Sequence, residues 1–242
     1  MVSKNQIKLI TSLIQKKFRK QHQLFFAEGA KVIQELLQSN FELEHLYTTK
    51  PMVFEVLDSK QTIISDSDLK KISALSTAND CLAVFRMPQE KKIENNGLIV
   101  ALDDIRDPGN LGTIIRLCDW FGIAQILCSE QTVDQYNPKV VQATMGSIAR
   151  VNITYLDLET YLSEIKTEVF GTFMDGTNLY KMPLPTSGII VLGNEANGIS
   201  KKIAEKVTQK IAIPRFGNLQ LTESLNVATA TAIVLSEFKR SF

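Results

Sequence analysis

The chain has 242 residues, 44% of them hydrophobic and 22% charged, with a formal net charge of +1. That length holds one large domain or two modest ones, and the balance excludes disordered and fibrous classes. The three cysteines, Cys81, Cys118 and Cys128, have no paired spacing, and the two histidines are His22 and His45. A disulfide framework and a zinc cluster are therefore not expected, and a reduced, cytoplasmic protein is. No apolar run approaches the roughly 20 residues that span a bilayer, and lysines interrupt the N-terminal stretch, so neither a membrane span nor a signal peptide is expected.

In chain order, the first elements form a small α/β domain over residues 1–87. Ile7, Ile10, Leu13, Ile14 and Phe18 fall at the spacing of one amphipathic helix. A strand is predicted at 24–27, a helix at 30–38, a strand at 43–48, a short helix at 52–57, a strand at 62–65, a helix at 66–75 capped by Ser65 or Asp66, and a strand at 81–85. Lys16, Lys17, Arg19 and Lys20 lie in an opening stretch that has no acidic residue before Glu28. They are candidate contacts to nucleic-acid phosphates, and a solvated helix end is the plainer alternative.

The polar segment 88–96, which opens on Pro88 and is followed by Gly97, is the predicted linker. Beyond it, over 97–242, strands and helices alternate. Strands are predicted at 98–102, 124–128, 152–155, 169–174, 189–192 and 210–213, and helices at 111–121, 138–149, 159–168, 201–207 and 224–238. The continuous apolar runs at 98–102 and 189–192 read as strands buried on both faces, so a largely parallel sheet is expected.

Ligands of open parallel sheets bind beyond the carboxyl ends of the strands. Three loops there carry chemistry-bearing residues. The first, from Asp103 to Gly112, holds Asn110, placed to cap the next helix, with Arg116 under two turns further on. The second follows a buried strand and sets Glu195 between Gly193 and Gly198. The third runs from Ile213-Pro214 to Ser224-Leu225-Asn226 at the start of the closing helix, where backbone N–H groups are unpaired. Each alone also reads as an ordinary turn and helix cap. No GxGxxG or GxxxxGK[ST] pattern follows a strand, and both histidines lie in the first domain. A nucleotide-dependent oxidoreductase and a Ser/His/Asp hydrolase are disfavoured.

Taken together and in this order, Asn110-Leu111-Gly112 with Arg116, Leu192-Gly193-Asn194-Glu195 with Gly198, and Ile213-Pro214 with Ser224-Leu225-Asn226-Val227 resemble the three signature motifs of the SpoU branch of the SPOUT RNA 2′-O-methyltransferases. Lys17-Phe18-Arg19 and Phe25-Phe26-Ala27-Glu28-Gly29 are similar to the opening of the L30e-like substrate-binding domain that often precedes it. The one visible departure is Ala196, where the family often has glycine.

The resemblance implies an α/β fold, a C-terminal α/β trefoil-knot domain with a mostly parallel sheet, preceded by the small L30e-like domain. It implies a homodimer with active sites near the subunit interface, and S-adenosylmethionine as cofactor, lined by Gly193, Ile213 and Leu225. Arg116 would be central, stabilising the developing alkoxide or orienting a phosphate, with Glu195 holding it and Asn110, Ser224 and Asn226 orienting ribose and arginine. No metal is called for, because the sulfonium donor carries the electrophilic charge. Structured RNA is the expected substrate, ribosomal over transfer RNA; a non-catalytic RNA-binding protein on the same scaffold is the alternative.

Overall fold

The structure, a computed structural model, describes residues 2–51, 54–89, 91–217 and 224–240. The chain forms two compact units. One comprises Met1–Glu90 and Asp134–Arg150, the other Lys91–Val133 and Val151–Phe242.

The first unit opens with α1 (Lys4–Ser12), whose N-cap Ser3 and Gln6 make a reciprocal capping box. A second helix, α2 (Lys16–His22), follows after a break, so the single amphipathic helix expected from Ile7 to Phe18 is in fact two. The break has a polar cause. Thr11 and Ser12 hydroxyls bond back to the carbonyls of Ile7 and Leu9, and Arg19 Nη1 donates to the carbonyls of Leu13 and Ile14, each at 2.8 Å. Those carbonyls are satisfied without a further helical turn.

Strands β1 (Leu24–Glu28), β2 (Leu43–Thr48), β3 (Gln61–Ile63) and β4 (Cys81–Arg86) form a sheet in the order β1-β4-β2-β3. Only the β2–β3 pair is parallel. Helix α3 (Ala30–Leu37) buries Val32, Ile33 and Leu36, and α4 (Asp66–Ile72) is capped by Ser65 as expected. The helix expected at 52–57 does not form over Phe54–Leu57, where a 3-10 turn at Asp58–Lys60 follows instead; Met52 and Val53 lie outside the described residues. Ile10, Leu13, Phe26, Leu69, Leu82 and Val84 share one core.

The segment Asp134–Arg150 also belongs to this unit. Its helix α6 (Pro138–Thr144) is shorter than expected because Met145 and Gly146 turn left-handed, at φ 52° and 97°. Glu35 packs so close to Gly146 that an added Cβ would meet its Cβ at 2.4 Å. Tyr136 packs on Phe25, ring centroids 4.7 Å apart. Asp134 accepts from both Nε and Nη2 of Arg19, an arginine only 2% exposed. The expectation that Arg19 contacts RNA is therefore corrected: its guanidinium is consumed by Asp134 and by two carbonyls of the helix break. Lys16, Lys17 and Lys20 are exposed.

The second unit is built on β5 (Leu98–Asp103), β6 (Gln125–Ser129), β7 (Asn152–Leu156), β8 (Val169–Asn178), β9 (Gly188–Gly193) and β10 (Gln209–Ala212). Their order is β10-β8-β9-β5-β6-β7, and every pair is parallel. The two apolar runs predicted to be buried on both faces are the central neighbours β5 and β9. This is the expected α/β class with its mostly parallel sheet. Helices α5 (Pro108–Trp120), α7 (Leu158–Glu164), α8 (Lys201–Ala204) and α9 (Val227–Lys239) complete the unit. From β10 at the sheet edge the chain returns to pack α9 against α5 and the central β9. Among the described residues no helix is long and apolar enough to cross a membrane.

Arg19→Ala leaves a carboxylate and two carbonyls without their donor in a buried place. It should lower the unfolding free energy by about 3–5 kcal/mol in denaturant titrations. Arg19→Lys should restore little, lacking the planar fork, while alanine at Lys20 should stay within about 0.5 kcal/mol of the parent.

Candidate active site

The strands of the second unit run parallel, so the loops after β5, β9 and β10 leave from one end of the sheet. Asp103, the last residue of β5, is buried, and its Oδ2 accepts from the Ser200 backbone N–H at 2.7 Å. Asp104 takes a left-handed φ of 58°, and its carbonyl accepts from Asn194 Nδ2 at 2.8 Å. Asn194 also gathers its own loop, with Oδ1 accepting from the N–H groups of Ala196 and Asn197. The loop after β9 is thus tied to the end of β5 at both of its ends. It doubles back so tightly that a Cβ on Gly193 would meet the Gly198 carbonyl carbon at 2.2 Å, and only glycine fits.

Helix α5 starts one residue after its N-cap Asp107, whose side chain accepts from the Asn110 N–H at 2.8 Å. Asn110 is therefore not the cap, contrary to expectation, and its side chain is free for other work. Its Nδ2 donates to Glu195 Oε1 at 2.7 Å, and its Oδ1 accepts from Asn226 Nδ2 at 2.9 Å. Asn226 is the N-cap of α9, its Oδ1 accepting from the N–H groups of Ala228 and Thr229.

These bonds have a compelled direction. The cap geometry of α9 turns the Asn226 oxygen to the helix, so its NH₂ must face Asn110. Asn110 must then present its oxygen to Asn226 and its NH₂ to the Glu195 carboxylate. One relay of donors runs from the α9 backbone through two amides to a carboxylate. It joins residues of all three motif loops. Arg106, Asp107, Asn110, Asn194, Glu195, Asn197 and Asn226 line an open cleft of about 630 Å³ there.

Of the residues expected at the site, the structure brings together Asn110, Glu195 and Asn226. Gly193 and Leu225 adjoin them along the chain, Ile213 follows β10 at the same sheet end, and Ser224 is exposed before α9. Arg116 is exposed on α5 and has no hydrogen bond or ion pair among the described residues; Glu195 is held by Asn110 and not by Arg116. Arg106, Asn194 and Asn197, which line the cleft, were not given a role from sequence, although they stand within the first two loops and Asn194 within a quoted motif. Arg106 donates to Asp104 at 2.8 Å, and this pairing holds the arginine side chain at the rim.

Backbone too tight for a side chain at Gly193 and an apolar Leu225 that is 47% exposed are compatible with the bent sulfonium nucleoside expected there. Gly193, Ile213 and Leu225 would hold it.

A sheet of this order with such a site defines a class of α/β enzymes that act at the carboxyl ends of their strands. The SpoU rRNA Methylase family profile matches residues 97–236, and the MRM3-like substrate binding domain matches residues 4–83. The chain is 30% identical over 241 residues to the 23S rRNA (guanosine(2553)-2′-O)-methyltransferase RlmP of Bacillus subtilis, covering 96% of each. Among solved structures it resembles a TrmH-family protein from Porphyromonas gingivalis, with TM-score 0.91, 40% identity and 100% of both chains covered. It also resembles an AdoMet-bound rRNA methyltransferase from Sinorhizobium meliloti, with TM-score 0.86 and 26% identity over 100% of this chain and 97% of that one. The chain belongs to the SpoU family of RNA 2′-O-methyltransferases.

Asn110→Asp keeps an acceptor for Asn226 but sets a second carboxylate against Glu195. Two such groups share a proton at low pH and repel once both ionise, so the stabilising contact is present at low pH and lost as pH rises. Because the pair is exposed, the thermal midpoint of the variant should fall only about 1–2 °C below the parent's at about pH 8 and meet it at about pH 4.

Proposed function

We propose that this chain methylates a ribose 2′-hydroxyl in ribosomal RNA, using S-adenosylmethionine, as a cytoplasmic homodimer. The single observation that carries the site assignment is the relay from α9 through Asn226 and Asn110 to Glu195. The named activities of its relatives support the ribosomal substrate, and the matched substrate-binding domain supports a division of labour. In that division residues 1–87 dock RNA, 88–96 link, and 97–242 carry the chemistry.

The bound cofactor supplies a methyl group made electrophilic by its sulfonium. The chain's residues do the remaining work. In-line transfer needs donor, methyl and hydroxyl oxygen aligned to within a few tenths of an ångström, and rigid elements achieve this better than mobile ones. Asn110 and Asn226 are held at helix starts and cannot rotate without breaking a bond. Glu195 keeps one oxygen on Asn110 and presents the other to the cleft, where it accepts from a ribose hydroxyl. Ser224, exposed at the same helix start, donates to or accepts from the same sugar.

Arg116 serves the site through the homodimer. It stands on an exposed face of α5 with Thr113 and Trp120, and Trp120 is 84% exposed. A tryptophan so open at the end of a well-packed helix fits a surface covered by a second copy. From there the guanidinium stabilises the developing alkoxide or holds the adjoining phosphate. Lys16, Lys17 and Lys20 contribute non-specific phosphate attraction.

The test is methyl transfer from labelled S-adenosylmethionine to ribosomal and transfer RNA, with the product mapped by its nuclease-resistant dinucleotide. Ribosomal RNA should carry the label. Arg116→Ala should lower transfer by about 10²-fold or more, while leaving sedimentation and cofactor affinity unchanged. Label on a base, or equal turnover in the variant, contradicts the reading.

A further inference from the structure

One feature of the second unit has no part in the cleft. Phe216, in the loop after β10, is 81% exposed, and Tyr180, in the 3-10 turn Leu179–Lys181 that ends β8, is 40% exposed. Their ring centroids lie 6.4 Å apart at an interplanar angle of 30°. An isolated exposed aromatic is unremarkable, but two in ring contact on separate loops are held there against their own burial. The turn is built to hold its ring: Asn178 Oδ1 accepts from the Tyr180 N–H at 2.9 Å, and Leu179 beneath is fully buried.

Cations adjoin the pair along the chain. Lys181 follows Tyr180, Arg215 precedes Phe216, and Lys210 stands on β10 with its ammonium 4.8 Å from the Phe173 ring. The acidic residue nearby along β8, Asp175, faces Lys210 at 3.9 Å. Aromatic faces interleaved with cations are what unstacked nucleic-acid bases and their phosphates require. The place is also right. β8 and β10 end on the same side of the sheet as β5 and β9, and the 3-10 turn packs against α9, whose cap is Asn226.

We propose that Phe216 and Tyr180, flanked by Arg215 and Lys181, form a stacking platform for an unstacked base of the nucleotide next to the methyl-acceptor ribose. The proposal rests on the methyltransferase reading and adds how the RNA is gripped. The acceptor hydroxyl is common to every nucleotide, so the sugar offers no handle that distinguishes one position. A base withdrawn from its helix and laid on Phe216 fixes the register of the strand, and it requires the target to be unpaired.

The test uses the full chain and two probes of mixed sequence, a single-stranded oligoribonucleotide and a fully paired RNA duplex, read by fluorescence anisotropy. Phe216→Ala and Tyr180→Ala should each weaken single-strand binding about tenfold or more and leave duplex binding within about twofold. Phe216→Trp should restore single-strand affinity, and its emission should be quenched on binding. Cofactor affinity by calorimetry and sedimentation should be unchanged in all three. Unchanged single-strand affinity in Phe216→Ala, or equal loss for the duplex, overturns the proposal. A loss of cofactor affinity overturns it in favour of a cofactor-pocket wall, and a change of oligomeric state in favour of a contact between copies. If the parent chain transfers no methyl group the enzyme reading fails. If it transfers methyl while Phe216→Ala binds normally, the platform alone fails.

Discussion

The Asn226 amide has one available orientation, because its oxygen is claimed by the first turn of α9. Everything else at the cleft follows from that. Asn110 is oriented by Asn226, Glu195 by Asn110, and the glutamate's loop by Asn194 and Asp103 at the end of β5. Side-chain amides are two-faced, and an amide on a loop would ordinarily sample both faces in water. Anchoring one end of the relay in helix backbone removes that freedom. The hydrogen bonds themselves are exposed and individually worth little to stability. Their value is positional: a polar edge is ordered before RNA arrives.

Position in turn depends on the sheet. β5 and β9 are central and buried on both faces, so the carboxyl ends from which the Asn110 and Glu195 loops depart are among the firmest points of the unit. The close approach at Gly193 and that of Gly176 to the backbone of Ile211, where a Cβ would come within 2.5 Å, tolerate no side chain. The first unit uses a different device. There the buried Arg19 fork clamps Asp134 to a helix break, and the segment that follows brings Tyr136 against Phe25.

Much of this was legible in the chain. Long apolar runs identified the buried strands, and strand–helix alternation identified the parallel sheet, because both are local patterns with a single physical reading. The motif residues Asn110, Glu195 and Asn226 stood out because polar groups follow strands or open helices there. Their mutual bonding was not legible, since it joins positions 85 and 116 residues apart. Sequence also placed Asn110 at the cap, whereas Asp107 wins that role by lying immediately before Pro108 at the first helical turn. Arg19 looked like a surface cation because its neighbours are lysines, and only the three-dimensional meeting with Asp134 shows it to be internal. The helix break at residues 13–15 was hidden because apolar periodicity continues across it. Phe216 and Tyr180 gave no signal at all: exposure is a property of the fold, and isolated aromatics in a sequence read as core.

The central claim is that Asn110, Glu195 and Asn226 act as one unit. A double-mutant cycle in single-turnover methyl transfer measures this directly, with alanine at Asn110, at Glu195 and at both, and a second cycle pairing Asn110 with Asn226. The account predicts strong non-additivity, each double variant losing little more than its worse single one. Losses that multiply, so that the free energies simply add, would mean three independent side chains and contradict it.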